Sequence, residues 1–249
     1  MKKKIKIANT IINTLEDKIG KFSYKLIYFN KEQKNYVYLL KTKKGKLILK
    51  TMNKFDKKNF NNEMSGRRKL GIILKKAKIK KFVIPKLITY DKKQKWILTK
   101  YENFRTLHDI CKKDKNTFKK IIIEIYSVFF PKLFAKYNLN KKIPSEYSLQ
   151  DLGYNKERIY FYDFEANKEL IEQYIDLYLK IGKQYIRSSV KGDKNNIKRM
   201  MELILFIKNR SKYFNKQKIN NIISIRLKKG AFKEFDSPKF DKYKEELFF

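Results

Sequence analysis

The stretch of sequence that decides the fold is residues 36–50, YVYLLKTKKGKLILK, in which two apolar runs flank the turn KKG. Short runs rich in β-branched, aromatic and aliphatic residues around a glycine turn predict a β-hairpin. The second predicted strand ends on a lysine, Lys50. Residues 59–76 follow with apolar positions at helical spacing, so they predict a helix, and this helix carries Glu63.

Working outward from this hairpin, further strands lie on both sides. Beyond residue 103 the pattern becomes mainly helical, apart from one hairpin formed by residues 148–154 and 158–165. Strands followed by helices predict an α+β chain with two lobes. We expect a β-rich N-lobe at 1–102, a helical C-lobe at 103–229, and a tail at 230–249 that is either disordered or packed. The other predicted strands are 22–29, 86–90 and 95–100, and the other predicted helices are 8–19, 106–112, 117–137, 167–187, 195–208 and 217–228.

The composition describes a folded but very basic protein. The chain has 249 residues, of which 42% are hydrophobic, so it can bury a sizeable core. The formal net charge is +37, because 62 lysines and arginines face only 25 acidic residues. Such a surface favours polyanionic partners: a phosphorylated glycan, anionic lipid or nucleic acid. The alternative is a proteome that is basic for compositional reasons, since an A+T-rich genome inflates lysine.

Cysteine and hydropathy patterns indicate the compartment. The single cysteine, Cys111, excludes an intramolecular disulfide framework and fits a reducing compartment. The basic N-terminus lacks the apolar core of a signal peptide, and residues 121–130 are too few to span a bilayer. We therefore expect a cytoplasmic protein, or one peripheral at the inner membrane surface. His108 is the single histidine and Cys111 the single cysteine, so the sequence has too few of these ligands for a typical zinc site.

Together these segments resemble the protein kinase-like superfamily, particularly aminoglycoside phosphotransferases and lipopolysaccharide core kinases, over about residues 24–185. The resemblance implies that Lys50 binds the α- and β-phosphates of ATP and that Glu63 is its partner. The run KWILTKYEN looks like the strand and hinge that meet adenine, which places Lys100, Tyr101 and Glu102 at the base.

The same resemblance makes the run RIYFYDFE the approach to a metal site, with Asp163 as the Mg²⁺ ligand. The residues also support this reading, because an apolar strand delivers one carboxylate at its end and hard cations require oxygen ligands. The competing interpretation is that Asp163 caps a helix that begins near residue 166.

The catalytic loop departs from the family pattern. Counting back from Asp163 places Gln150 where the family has a metal-binding asparagine and Ser145 where it has the catalytic aspartate. We expect Gln150 to offer a neutral oxygen to the metal, and Asp151 or Glu146 to act as the substitute carboxylate. Residues 29–35 also contain no glycine, so a glycine-rich phosphate loop is missing.

Two functions follow as expectations. The first is a phosphotransferase that uses ATP and Mg²⁺ on an unknown acceptor, such as an anionic glycan or lipid. The second is a catalytically inactive pseudokinase module whose basic surface binds nucleic acid, an anionic membrane or a protein partner.

Overall fold

The computed structural model describes residues 7–30, 35–53, 57–144, 149–162, 164, 167–211 and 214–249. The predicted hairpin is confirmed: its strands pair from Tyr36 opposite Thr51 to Thr42 opposite Gly45. Gly45 has φ 126°, a backbone conformation that residues with a side chain rarely adopt. The elements of this part are α1 (Asn9–Ile19), β1 (Phe22–Asn30), β2 (Asn35–Thr42), β3 (Gly45–Thr51), α2 (Lys57–Lys76), β4 (Phe82–Val83), β5 (Leu87–Asp91) and β6 (Trp96–Lys100).

Five of these strands form an antiparallel sheet in the order β1-β2-β3-β6-β5. Successive side chains of a strand point to opposite faces, so neighbouring residues of β3 serve different surroundings. Leu49 is fully buried in a core shared with Leu15 of α1 and with Trp96. Lys50 therefore points to the opposite face of the sheet, the face on which α2 lies.

The remainder of the described chain is mainly helical, as predicted. Its largest core is centred on α6. Within this core, Tyr126 Oη donates a hydrogen bond to the carbonyl oxygen of Tyr174, a residue of α6, at 2.9 Å. Tyr174 in turn donates its hydroxyl to the carbonyl oxygen of Ile207 at 3.2 Å. The elements are β7 (Arg105–Thr106), α3 (Leu107–Lys113), α4 (Lys115–Glu124), a π-helical turn (Ile125–Phe129), α5 (Phe130–Phe134), β8 (Lys142–Pro144), β9 (Leu152–Asn155), β10 (Arg158–Phe161), β11 (Asn167–Glu169), α6 (Leu170–Val190), α7 (Lys194–Arg210), α8 (Lys216–Arg226) and, after short helical turns, α9 (Asp241–Glu245).

Strand pairing in this half differs from the prediction in one respect. The predicted hairpin is confirmed as β9 and β10, which lie in a second sheet of order β4-β10-β9-β7. The helix predicted to start at residue 167 instead begins at Leu170, because residues 167–169 form β11 and pair with β8. The proposed boundary near residue 102 stays a prediction, and α2 contributes Leu70, Ile73 and Leu74 to the core of the helical half.

The tail packs against the helices, which is one of the two outcomes expected for it. Leu247 is fully buried, and its carbonyl oxygen accepts a hydrogen bond from Tyr178 Oη at 2.9 Å. The side chain of Asn220 bonds both the N–H and the carbonyl oxygen of Phe249, at 2.8 and 3.1 Å. These contacts fix the last residues of the chain on α6 and α8. Within the described residues, no helix is both long and apolar enough to cross a membrane.

Candidate functional site

Lys50 and Glu63, predicted as partners, form an ion pair in the structure. Lys50 Nζ donates to Glu63 Oε2 at 3.0 Å, and the Glu63 side chain is only 1% exposed while Lys50 is 20% exposed. A carboxylate removed from water is stable only when it is paired and hydrogen-bonded. Lys50 is thus held by a buried partner at the border between the protein interior and solvent.

The local sequence explains why the side chains of Lys50 and Glu63 come into contact. The alternation of β3 places Lys50 on the face opposite the Leu49 core. On α2, Glu63 lies between Phe60 and Leu70, which are both buried, so the helix turns the carboxylate inward. A charged side chain on the buried face of a helix breaks the amphipathic pattern, so Glu63 stands out from the rest of that face.

Glu63 has a second partner, Arg67, which was not among the predicted site residues. Arg67 Nε donates to Glu63 Oε1 at 3.1 Å, and the Arg67 side chain is 11% exposed. Each carboxylate oxygen is therefore bonded to a different cation. The three side chains together carry one net positive charge, which suits a phosphate-binding surface. The spacing of a glutamate and an arginine four residues apart on a predicted helix was the signal that could have found this pair.

In the predicted hinge, Lys100 to Glu102, some backbone groups are already hydrogen-bonded to other parts of the protein. The N–H of Lys100 donates to the carbonyl oxygen of Lys86 at 2.9 Å, and the N–H of Tyr101 donates to that of Lys46 at 3.3 Å. The carbonyl oxygen of Glu102 accepts from the N–H of Phe104 at 3.0 Å. A nucleobase would have to be recognised by the other backbone groups of this segment.

The two described residues of the predicted catalytic loop, Gln150 and Asp151, lie in the turn before β9. Leu149, beside them, accepts a hydrogen bond on its carbonyl oxygen from the N–H of His108 at 2.8 Å, which attaches this turn to α3. Leu152 pairs with Phe161, so Asp151 stands at the end of the hairpin from which residue 162 continues. Glu146 and Asp163 lie outside the described residues. Across the residues that are described, no group of three or more His, Cys, Asp or Glu side chains is placed to hold a metal ion.

Aromatic stacking anchors this hairpin to the segment after the hinge. The Phe104 ring stacks on Tyr160 and on Tyr162, with ring centroids 5.5 and 5.1 Å apart. A Cβ atom on Gly153 would lie 2.3 Å from the Phe104 ring, so only glycine fits beneath it. The segment that follows the predicted hinge is thus packed directly against the predicted metal-binding segment.

A surface cavity of about 350 Å³ lies between α2 and the end of β5. The residues that line it include none of the predicted site residues. The cavity is lined by Phe60, Asn61, Met64, Ser65, Arg68, Tyr90 and Lys92.

The helix predicted at 195–208 packs its apolar side against the rest of the protein. In α7 the side chains of Met200, Leu203, Ile204 and Ile207 are buried in the main core. Leu205 remains 53% exposed. A single exposed leucine is ordinary for a protein surface, so this helix offers no apolar face for a membrane.

His108 is partly buried on α3, and Cys111 on the same helix is buried. Burial lowers the pKa of His108, and the neighbouring charge of Lys112 lowers it further. Burial raises the pKa of the Cys111 thiol to about 11, although nearby lysines oppose the shift. A thiol with a raised pKa is a weak nucleophile, because the thiolate is the reactive form.

Similarity to known proteins was found among solved structures. No protein-family model matches the sequence, and no curated protein matches it either. The kinase domain of Mycobacterium tuberculosis PknI is 12% identical, with a TM-score of 0.42 over 64% of this chain and 71% of that chain. The structure of the streptomycin-ATP-APH(2")-IIa ternary complex is 9% identical, with a TM-score of 0.49 over 98% of this chain and all of that chain (100%).

With TM-scores below 0.5, these similarities carry no argument about this chain. The order of elements is the one that the sequence predicted: an antiparallel sheet with Lys50, a helix with Glu63, the segment predicted as the hinge, and helices interrupted by a hairpin. The α+β architecture predicted from the sequence is confirmed.

Proposed function

We propose that this protein is a kinase-like phosphotransferase that binds ATP with Mg²⁺ beside Lys50. The observation that carries the proposal is the buried ion pair of Lys50 and Glu63, 3.0 Å apart, between a strand and a helix that are separate in sequence. A buried carboxylate is costly, so a lysine held at the rim by one is a positioned cation. Structural ion pairs can arise in the same way, and the variants below distinguish the two cases.

The residues suit the nucleotide and its metal as donors. The cluster of Lys50, Arg67 and Glu63 has a net positive charge for phosphate oxygens. Gln150, in the turn before β9, offers an amide oxygen, and oxygen ligands suit a hard cation. The proposed metal ligands are Asp163 and Gln150, and the backbone of Lys100 to Glu102 is proposed to meet the base.

When bound, ATP with its Mg²⁺ would supply the phosphoryl group, and the metal would neutralise the phosphate charge. Lys50 then positions phosphate oxygens, and Glu63 keeps the ammonium group from turning to solvent. Asp151 or Glu146 orients the acceptor hydroxyl and takes up its proton. The formal charge of +37 favours an anionic acceptor, such as a phosphorylated glycan or lipid, because it attracts anions before contact.

The test is calorimetric titration of ATP into the protein, with and without Mg²⁺. We expect Mg²⁺-dependent binding that weakens at least tenfold in Lys50→Met and that loses its Mg²⁺ dependence in Asp163→Asn. Lys41→Met is the matched control, because Lys41 is an exposed lysine of the neighbouring strand β2 and is not a proposed site residue. Binding that is absent in the wild type, or equal in the Lys50 and Lys41 variants, would refute the proposal.

A further inference from the structure

Arg67 connects three separate parts of the chain. It lies one helical turn after Glu63 on α2 and donates from Nε to Glu63 Oε1 at 3.1 Å. One of its terminal amino groups donates to the carbonyl oxygen of Pro85 at 3.1 Å. The face of its guanidinium group lies over the ring of Phe164, with 4.6 Å between Cζ and the ring centroid. The side chain is 11% exposed, so water competes little for these contacts.

This set of contacts requires arginine. A guanidinium group is planar, so it can donate hydrogen bonds from its edge while its face stacks on an aromatic ring. An aliphatic side chain could pack on Phe164 but would leave one oxygen of a buried carboxylate without its cation. A lysine could neutralise Glu63 but could not at the same time bond Pro85 and stack on the ring.

The neighbouring residue brings the helix backbone itself against the same segment. A Cβ atom added to Gly66 would lie 2.3 Å from the carbonyl oxygen of Phe164, far inside van der Waals contact. Phe164 is only 1% exposed, and its ring belongs to the main core. Two consecutive residues of α2 therefore press on Phe164, and Phe164 directly follows Asp163 in the sequence.

The two carboxylate oxygens of Glu63 are bonded to two different cations. Glu63 Oε2 is bonded to Lys50 and Oε1 to Arg67, so Glu63 keeps one cationic partner even if the Lys50 ammonium group moves. Arg67 thereby fixes the carboxylate that orients Lys50, and it also restricts the residue next to the proposed metal ligand.

We infer that Arg67 is a positioning residue that couples the phosphate-binding pair to the metal-binding segment. This inference rests on the proposed function, since it assigns Arg67 a role in Mg²⁺-assisted nucleotide binding. Its consequence is specific: loss of the guanidinium group reduces the gain in ATP affinity that Mg²⁺ provides, more than it reduces the affinity for ATP alone.

The test compares ATP affinity with and without Mg²⁺ in wild type, Arg67→Lys and Arg68→Lys. Arg68 is the matched control, because it is the next residue of the helix, is exposed, and lines the separate surface cavity. We expect Arg67→Lys to lower the Mg²⁺-dependent gain about tenfold, which corresponds to about 1.4 kcal/mol. We expect Arg68→Lys to leave that gain within about twofold of wild type, since an exposed charge contributes little.

A second measurement needs no nucleotide and approaches the contact from the other side. A double-mutant cycle is measured by urea unfolding of the wild type, Arg67→Lys, Phe164→Leu and the double variant. When two residues are in contact, the effects of their substitutions on the free energy of unfolding are not additive. We expect the combined effect on the unfolding equilibrium constant to depart from the product of the single effects by about fivefold or more.

The outcomes separate the two ideas. A wild type without Mg²⁺-dependent ATP binding overturns the proposed function and, with it, the nucleotide role of Arg67. A wild type that binds, with equal Mg²⁺-dependent gains in the Arg67 and Arg68 variants, overturns the inference alone. An additive cycle would also overturn it, because Arg67 would then not act through Phe164.

Discussion

The substitution Glu63→Gln examines the buried ion pair with almost no change in side-chain volume. Glutamine keeps one acceptor oxygen but removes the negative charge, which leaves Lys50 and Arg67 facing each other without a counter-charge. Removing one partner of a buried pair typically costs about 3–5 kcal/mol. Since Lys50 and Arg67 are 20% and 11% exposed, they can recover some hydration, and we expect a loss at the low end, about 3 kcal/mol.

The assay is unfolding in urea followed by circular dichroism, with a thermal scan beside it. For a chain of this size, about 3 kcal/mol corresponds to a decrease in Tm of roughly 6–12 °C. The matched control is Glu124→Gln, which removes the partner of Lys81 in an exposed pair at 3.3 Å whose side chains are 53% and 29% exposed. Exposed pairs contribute about 0–1 kcal/mol, so the control should change little.

Two results would count against this reasoning. Equal losses in the two variants would show that burial does not govern the Glu63 pair. An unchanged stability of Glu63→Gln would show that neither cation depends on the carboxylate. The double variant Glu63→Gln with Arg67→Met adds a check of the cause, because it removes the second cation and should recover part of the lost stability if charge is responsible.

Three further predictions concern the surroundings of the site. Gly66→Ala should destabilise the protein by about 1–3 kcal/mol in urea unfolding, because its Cβ would meet the Phe164 carbonyl oxygen at 2.3 Å. On the same helix, Gly71→Ala has its nearest contact at 3.9 Å and should instead stabilise by up to about 1 kcal/mol; the opposite ranking would contradict the packing described. Burial lowers the pKa of His108 below its ordinary 6.5, so the unfolded chain binds a proton first as the pH falls. The stability that His108 contributes should therefore be present above about pH 6.5 and decline as the pH falls through the lowered pKa of the folded state. Thermal scans of His108→Gln should lack this decline. An equal decline in the wild type and the variant would assign it to other groups. Burial raises the pKa of Cys111 to about 11, so iodoacetamide at pH 8 should leave the native thiol unmodified and alkylate it in urea, as judged by mass spectrometry; rapid native alkylation would refute its burial.

The sheet could be predicted because its information is local. The turn at residues 43–45 and the flanking apolar runs set the register of β2 and β3, and the switch to helical spacing located α2. The ion pair of Lys50 and Glu63 was reached through the family resemblance, since distance in sequence gives no reason for two charged residues to meet.

Features that depend on close packing could not be predicted in this way. Arg67 belongs to the run Arg67–Lys69, and the sequence does not show which of these cations turns inward. The proximity of Gly66 to Phe164 joins residues far apart in the chain, and so does the pairing of the three-residue strands β8 and β11. Such short strands have too few residues for a period-two pattern to be recognised.

The measurement that tests the central claim most directly is chemical labelling of lysines by an acyl-phosphate derivative of ATP. Such a probe transfers its acyl group to a lysine amine that lies beside the bound phosphates, and peptide mass spectrometry identifies that lysine. We predict that Lys50 is labelled in preference to the many surface lysines, that Mg²⁺ with excess ATP prevents this labelling, and that exposed Lys41 of β2 is unaffected by ATP. Labelling spread over surface lysines, with no change at Lys50 when ATP is added, would contradict nucleotide binding at this site.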